Sequence, residues 1–180
     1  MKGVVFTEFF DLVEEKFGYE MVDKIIGESQ LESGGVYTSV GTYDHREMGQ
    51  LVGRLSQHSG VQQSDLLKAF GHHLFGVFQK NYGIFFQNAS TAFDFLSGIE
   101  HYIHVEVKKL YPDAELPRFD VVRDGDQRME MVYRSERSMS DLALGLIEAT
   151  LLHYKEEADI ERAFMDEAGT EVRFILQKTV

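Results

Sequence analysis

Hydrophobic side chains recur with a helical period from the start of the chain to about residue 111. Gly18 separates two short stripes of this kind, made of Val5, Phe9, Leu12 and Phe17 and of Met21, Val22, Ile25 and Ile26. The same period predicts further helices near residues 45–58, 63–80 and 91–111. Gly71 lies inside the second of these, where glycine costs helix stability, and it indicates close approach by a bulky neighbour. The pattern therefore predicts a helical N-terminal lobe.

Beyond Pro112 and Pro117, which bracket the end of the last of these helices, the pattern changes to that of strands. The segments RFDVV and RMEMVYRS, joined across Asp124-Gly125, predict a β-hairpin. A helix over DLALGLIEATLLHYKEE follows, and DIERAFMDEAGTEVRFILQK predicts a second hairpin that turns near Gly169. The predicted fold class is α+β, with a helical N-terminal lobe packed on a C-terminal lobe that contains a four-stranded antiparallel sheet.

Composition supports one globular domain and excludes several functions. The 180 residues are 43% hydrophobic and carry a net charge of −12 without a basic run, which argues against a surface for nucleic acid or anionic membrane. Without cysteine there is no disulfide, thiolate nucleophile or Cys-ligated metal. Acidic residues interrupt the N-terminal apolar pattern and no apolar run approaches membrane-spanning length, so we expect a cytoplasmic protein. The 14 Phe residues indicate a Phe-rich core or a wide apolar cavity.

Three hydrogen-bond donors stand at alternate positions where the first hairpin ends, in the segment EMVYRSERSMSD. In a strand, Tyr133, Ser135 and Arg137 leave the backbone on one side, together with Met129 and Met131 before them. Arg137 adds a permanent charge and a planar fork that suits a carboxylate. The row therefore indicates a site for an anion at the end of an apolar strand face.

One histidine is placed to face an apolar interior. On the helix predicted near residues 91–111, His104 lies at the edge of the apolar arc, whereas His101 points toward solvent. A single imidazole that faces an apolar, aromatic-lined space is the setting of an axial haem ligand. Haem also needs an apolar slot and donors for its two propionates. The ligand is supplied by His104 and the slot by the aromatic helices. The propionate donors are supplied by the row of Tyr133, Ser135 and Arg137.

Two other functions are compatible with parts of this pattern. The first is a non-haem metal site, in which His72, His73, His101 and His104 gather on two helices, although the spacings of di-iron bundles and of the HExxH helix are missing. The second is an interaction domain without cofactor, in which the three donors pair with surface acids. An absorption spectrum separates the three hypotheses, because only haem gives a Soret band.

The sequence resembles those of the H-NOX family. These are the haem nitric oxide/oxygen-binding domains found alone in bacteria and in the haem-bearing subunit of soluble guanylate cyclase. The family's Tyr-x-Ser-x-Arg motif is complete as YRSER, its axial histidine in an IHVEV-like context falls on His104, and its proline in a Leu-Pro-Arg context falls on Pro117. The resemblance covers essentially all of residues 1–180 as one domain. It implies a distal helical lobe over residues 1–62 and a proximal lobe with the ligand helix and sheet over residues 63–180.

The resemblance also implies the cofactor and the residues that hold it. Haem b would lie between the lobes, with His104 on its iron, with Tyr133, Ser135 and Arg137 on its propionates, and with Pro117 pressing it out of plane. The distal pocket maps onto six apolar residues: Val5, Phe9, Leu74, Phe78, Leu142 and Leu144. Relatives that bind oxygen place a tyrosine where this chain has Leu142.

A pocket without a hydrogen-bond donor favours NO over O₂. The resemblance therefore implies a sensor of the stand-alone bacterial type, which binds NO and CO at ferrous haem, forms no stable O₂ complex and catalyses no reaction. It would signal in trans to a partner, with a histidine kinase or a cyclic-di-GMP-metabolising enzyme as the expected one. Some relatives carry a cysteine-rich zinc site, which this chain cannot build because it has no cysteine.

Overall fold

The computed structural model describes residues 1–179. Its N-terminal part consists of helices α1 (Gly3–Phe17), α2 (Tyr19–Gly27), α3 (His45–Ser59) and α4 (Gln63–Asn81), followed by a short 3₁₀ turn (Gly83–Phe86). The apolar stripes of α1 and α2 supply Phe6, Phe9, Val13, Val22 and Ile25 to one buried cluster. Asp44 caps α3 by accepting a hydrogen bond from the backbone N–H of Arg46. These elements form the predicted helical lobe.

The helix expected over residues 91–111 is interrupted. It consists of α5 (Ala92–Ser97), a π turn (Ile99–Ile103) and α6 (His104–Leu110). The N–H groups of Tyr102 and Ile103 both donate to the carbonyl of Gly98, at 2.9 and 3.1 Å, so one hydrogen bond spans five residues rather than four. The prediction of one continuous helix is therefore wrong. The change of pitch falls directly before His104.

The C-terminal part is a sheet of four antiparallel strands in the order β1-β2-β4-β3: β1 (Arg118–Asp124), β2 (Arg128–Arg134), β3 (Ala158–Phe164) and β4 (Glu171–Lys178). The two predicted hairpins turn at Gly125 and Gly169, whose φ angles of 62° and 69° favour glycine. Helix α7 (Ser140–Tyr154) connects them. The α+β prediction is confirmed.

One face of the sheet is buried, because side chains alternate along each strand. Met131 lies opposite Phe174, and Tyr133 opposite Val172, in the central β2–β4 pair, and all four side chains are buried. Ala143, Ile147 and Leu151 of α7 pack on this face. The grouping of Met129, Met131 and Tyr133 on one face agrees with the sequence pattern.

Helix α4 contributes side chains to two separate hydrophobic clusters. Its residues Leu66, Phe70 and Leu74 belong to the core of the N-terminal helices, whereas Phe75 packs with Phe86, Phe95 and Ala149. The division predicted after residue 62 therefore falls just before a helix that both parts share. Within residues 1–179, no helix combines the length and the apolar character that crossing a membrane requires.

Gly71 and Gly145 bring α4 and α7 into close contact. A Cβ atom on Gly71 would lie 2.4 Å from the carbonyl oxygen of Leu142, and one on Gly145 would lie 2.1 Å from that of Lys68. The close approach expected at Gly71 is confirmed, and the neighbour is the backbone of α7. Glycine is thus needed on both helices for their spacing, beside the cavity described below.

Candidate functional site

A cavity of about 280 Å³ lies between the N-terminal helices and the sheet. Its wall is largely aliphatic and aromatic, and it is formed by the start of α1, by α4, by α5 to α6, by the segment before β1 and by α7. Nine of the residues expected at the haem line it together: His104, Pro117, Tyr133, Ser135, Arg137, Val5, Leu74, Phe78 and Leu142. The structure therefore assembles one site from positions far apart in the sequence.

Two residues expected at the distal side do not line this cavity. Phe9 is 1% exposed and packs edge-to-face on Phe70, with ring centroids 5.3 Å apart, inside the N-terminal core. Leu144 packs with the cluster beneath the sheet. It lies about 200° around α7 from Leu142, so the two side chains leave the helix on nearly opposite sides. Phe9 and Leu144 therefore lie outside the cavity wall in this structure.

His104 is the first residue of α6, and its side chain is 16% exposed. The Nδ1 atom lies 2.9 Å from Oε1 of Glu100, while Nε2 has no hydrogen-bond partner within residues 1–179. Burial lowers the pKa of His104 more than the nearby Glu100 carboxylate raises it. A neutral imidazole with a proton on Nδ1 and a lone pair on Nε2 can ligate iron from the cavity wall.

The other histidines of the non-haem hypothesis have separate surroundings. His72 pairs with Glu148 at 2.8 Å, and His73 pairs with Glu8 at 3.1 Å. His101 is exposed, as its position on the helix predicted. Among residues 1–179, no three His, Cys, Asp or Glu side chains are grouped so that they could hold a metal ion. The structure thus does not bring the four rings together.

The three predicted anion-binding residues lie where β2 meets the next segment. Strand β2 ends at Arg134, so Ser135 and Arg137 belong to the connection that leads to α7 rather than to the strand itself. The hydroxyl of Tyr133 accepts a hydrogen bond from the N–H of Met139 at 3.1 Å, which leaves its own proton to donate. The Ser135 hydroxyl accepts from the N–H of Arg137 at 3.2 Å and can likewise donate.

Arg137 is a partly buried cation that lines the cavity. Its side chain is 15% exposed, and burial lowers the pKa of its guanidinium. It donates to the carbonyl oxygen of Glu115 at 2.5 Å, but the Glu115 carboxylate is 3.9 Å away and 85% exposed. Because a buried charge requires a close counter-charge, Arg137 fits an anion supplied from the cavity.

The cavity wall also contains polar residues that the sequence pattern did not reveal. The hydroxyls of Tyr82 and Tyr111 lie 3.3 Å apart, and this hydrogen bond, with burial, raises the pKa of Tyr82 to about 12. Lys2 lines the cavity as well and pairs with Asp113 at 3.2 Å. Glu100 contacts His104 from outside the cavity wall, and this contact was predictable from the spacing of four residues between them on a helix. No local signal relates the two tyrosines, because their contact depends on packing.

Haem is a flat apolar disc with two carboxylates and an iron. It is suited by an apolar cavity, a partly buried imidazole whose Nε2 has no partner among residues 1–179, and a partly buried cation beside two hydroxyls. Residues 2–162 match the family model described as Haem-NO-binding (HNOB). The chain therefore belongs to the H-NOX family of haem-based gas sensors. Members of this family are sensors rather than enzymes.

Solved structures similar to this chain are H-NOX proteins. The Fe(II) unliganded H-NOX protein from K. algicida is 47% identical, with a TM-score of 0.96 over 100% of this chain and 97% of that one. The Fe(II)CO H-NOX from Shewanella woodyi is 39% identical, with a TM-score of 0.83 over 99% and 95%. The Fe(II)NO H-NOX protein from S. oneidensis is 23% identical and shares the fold, with a TM-score of 0.91 over 100% of both chains. No curated protein matches the chain significantly.

Proposed function

We propose that this chain binds haem b in the cavity and senses nitric oxide there. The observation that carries the proposal is that one apolar cavity is lined by His104, whose Nε2 has no partner among residues 1–179, and by the partly buried Arg137 beside Tyr133 and Ser135. When bound, haem supplies a ferrous iron to which a diatomic gas can bind. The chain's own residues hold the disc, exclude water and select the gas.

Each of these residues has a distinct task in the proposal. His104 would provide the protein's bond to iron, and Tyr133, Ser135 and Arg137 would receive the propionates with two hydroxyls and one charged fork. Pro117, whose rigid ring lines the cavity, would contact the face of the disc and restrict its position. Val5, Leu74, Phe78 and Leu142 provide an apolar gas side.

The apolar gas side is expected to decide which gas binds. We expect the ferrous protein to change its absorption spectrum with NO and with CO, and to form no stable O₂ complex in air-saturated buffer. The reason is that O₂ retention depends on a distal hydrogen-bond donor, and Val5, Leu74, Phe78 and Leu142 carry none. Spectra of the ferrous protein under each gas measure this.

The Tyr82 and Tyr111 hydroxyls are two donors in the cavity wall that would alter that outcome if they reached the bound gas. Tyr82→Phe is the matched variant, since it removes one hydroxyl and keeps the ring. We expect wild type and Tyr82→Phe to behave alike. A stable O₂ complex in wild type that Tyr82→Phe abolishes would contradict NO selectivity and identify the donor.

Arg137→Ala is expected to weaken haem binding more than Ser135→Ala. A charge-assisted hydrogen bond contributes about 1.5–3 kcal/mol, against about 0.5–1.5 kcal/mol for a neutral one. Reconstitution titrations of apoprotein with haem measure both losses. Arg134→Ala is the control, because Arg134 pairs with Asp120 and Glu171. Equal haem affinity in Arg137→Ala and Arg134→Ala would remove the propionate role.

We further propose that the gas-bound state is detected by a partner protein, either a histidine kinase or a cyclic-di-GMP-metabolising enzyme. The family's role as sensors rather than enzymes supports a separate output. The test is the activity of such an enzyme mixed with the haem-loaded chain, with and without NO. An activity that NO leaves unchanged for both enzyme classes would refute this part of the proposal.

A further inference from the structure

The carboxylate of Glu100 joins the proposed iron ligand to the first strand of the sheet. Its Oε1 atom lies 2.9 Å from Nδ1 of His104, and the same atom accepts a hydrogen bond from the backbone N–H of Phe119 at 2.8 Å. Phe119 is the second residue of β1 and follows Pro117 by two positions. One oxygen therefore contacts both the ligand ring and the segment that carries the proline.

The local backbone holds this pair in place. Glu100 lies inside the π turn, and His104 is the first residue after it. The turn depends on the hydrogen bond from Ile103 N–H to the Gly98 carbonyl. Single π turns inside α-helices are frequent at functional sites. The side chains of Glu100 and His104 are 26% and 16% exposed, so water competes only weakly for their hydrogen bond.

We infer that Glu100 is a positioning residue for His104, which fixes the Nδ1–H tautomer, aims Nε2 into the cavity and strengthens the imidazole as an iron ligand. The inference rests on the proposed function, because it assumes that His104 binds haem iron. Metal-binding histidines commonly donate their second N–H to a carboxylate, which fixes the ring and raises its basicity. The Phe119 contact fixes the carboxylate in turn.

The geometry also connects movement of His104 to the sheet. A shift of the imidazole away from the cavity would stretch the hydrogen bond from its Nδ1–H to Glu100 Oε1, the atom that also accepts from the N–H of Phe119. The segment containing Pro117 is thereby coupled to the position of the ligand ring. If Glu100 served only to bind the N–H of Phe119, its removal would leave the iron ligand unaffected. An experiment on the iron–His104 bond therefore separates this structural role from the positioning of His104.

The test compares full-length haem-loaded wild type with Glu100→Ala, Glu100→Gln and the control Glu106→Ala. Gln keeps an oxygen that can accept both hydrogen bonds but removes the charge. Glu106 is a carboxylate on α6, the helix that begins at His104, and it pairs with Lys109 at 2.5 Å. Resonance Raman spectra of the ferrous proteins give the iron–His104 stretching frequency, and transfer of haem to an acceptor protein gives the rate of haem loss.

We expect Glu100→Ala to lower the stretching frequency and to lose haem about 10- to 100-fold faster, the range typical of removing such a partner. Glu100→Gln should lie between wild type and Glu100→Ala, and Glu106→Ala should match wild type. A frequency in Glu100→Ala equal to that of wild type would refute the role of Glu100 alone. A wild-type chain that takes up no haem, seen as no Soret band, would instead refute the proposed function.

Discussion

Replacing His104 by glycine is expected to abolish stable haem binding. His104 is a partly buried imidazole that lines the cavity, and its Nε2 has no partner in the part of the chain that the structure describes, so the substitution removes the proposed protein bond to iron. The contacts left by the proposal would be apolar packing and the propionate donors, which would hold the disc without fixing its iron. The ratio of Soret to protein absorbance after purification, together with iron content per chain, measures the effect.

His101→Ala is the control, because His101 lies three residues earlier and is exposed. It should retain haem with an unchanged spectrum. Free imidazole added to His104→Gly should restore part of the haem signal, since the deleted ring leaves space for it beside Glu100. This rescue distinguishes a lost ligand from a misfolded chain. Loss of haem in His101→Ala with retention in His104→Gly would reverse the assignment.

Gly145→Ala is expected to destabilise the folded protein by about 2 kcal/mol. The added Cβ would lie 2.1 Å from the carbonyl oxygen of Lys68, a backbone atom that cannot rotate away, so α4 and α7 must separate. Overpacking of this kind costs up to about 3 kcal/mol, and about 1 kcal/mol returns from the better helix propensity of alanine. The midpoint of thermal unfolding, followed by circular dichroism of the haem-loaded protein, should fall by about 4–8 °C.

Gly76→Ala provides the matched control on α4. Among residues 1–179, nothing lies within 4 Å of a Cβ at Gly76, so this variant should be as stable as wild type or more stable, by up to about 1 kcal/mol. Because α4 and α7 both line the cavity, Gly145→Ala should also weaken haem retention, whereas Gly76→Ala should not. Equal unfolding midpoints for the two variants would show that the helices adjust freely at Gly145.

The sequence predicted those structural features that depend on residues close together along the chain. The alternation along β2 predicted that Met129, Met131 and Tyr133 share the buried face, and Gly125 and Gly169 marked both hairpin turns. These features depend on residues two to four positions apart, whose relative directions are fixed by the geometry of a strand or turn. The order β1-β2-β4-β3 joins the two hairpins side by side through β2 and β4, which the strand pattern alone did not specify.

The pattern failed where the backbone departs from regular geometry. The helical wheel placed His104 toward the interior although it assumed one continuous helix, and the π turn before His104 was not anticipated. Likewise the row from Tyr133 to Arg137 was treated as strand, whereas β2 ends at Arg134. In both cases a hydrogen bond or chain reversal outside the ideal period interrupts the regular element, although His104, Ser135 and Arg137 still line the cavity as predicted.

By itself the sequence determined the α+β fold, the motif that relates the chain to H-NOX proteins and the buried direction of His104, since these follow from local periodicity and spacing. Only the tertiary structure decided which residues form the cavity wall. It placed Phe9 in the N-terminal core, brought Tyr82 to Tyr111, and set Glu100 between His104 and the N–H of Phe119. Such contacts join distant segments, and their geometry depends on how α4, α7 and the sheet pack against one another.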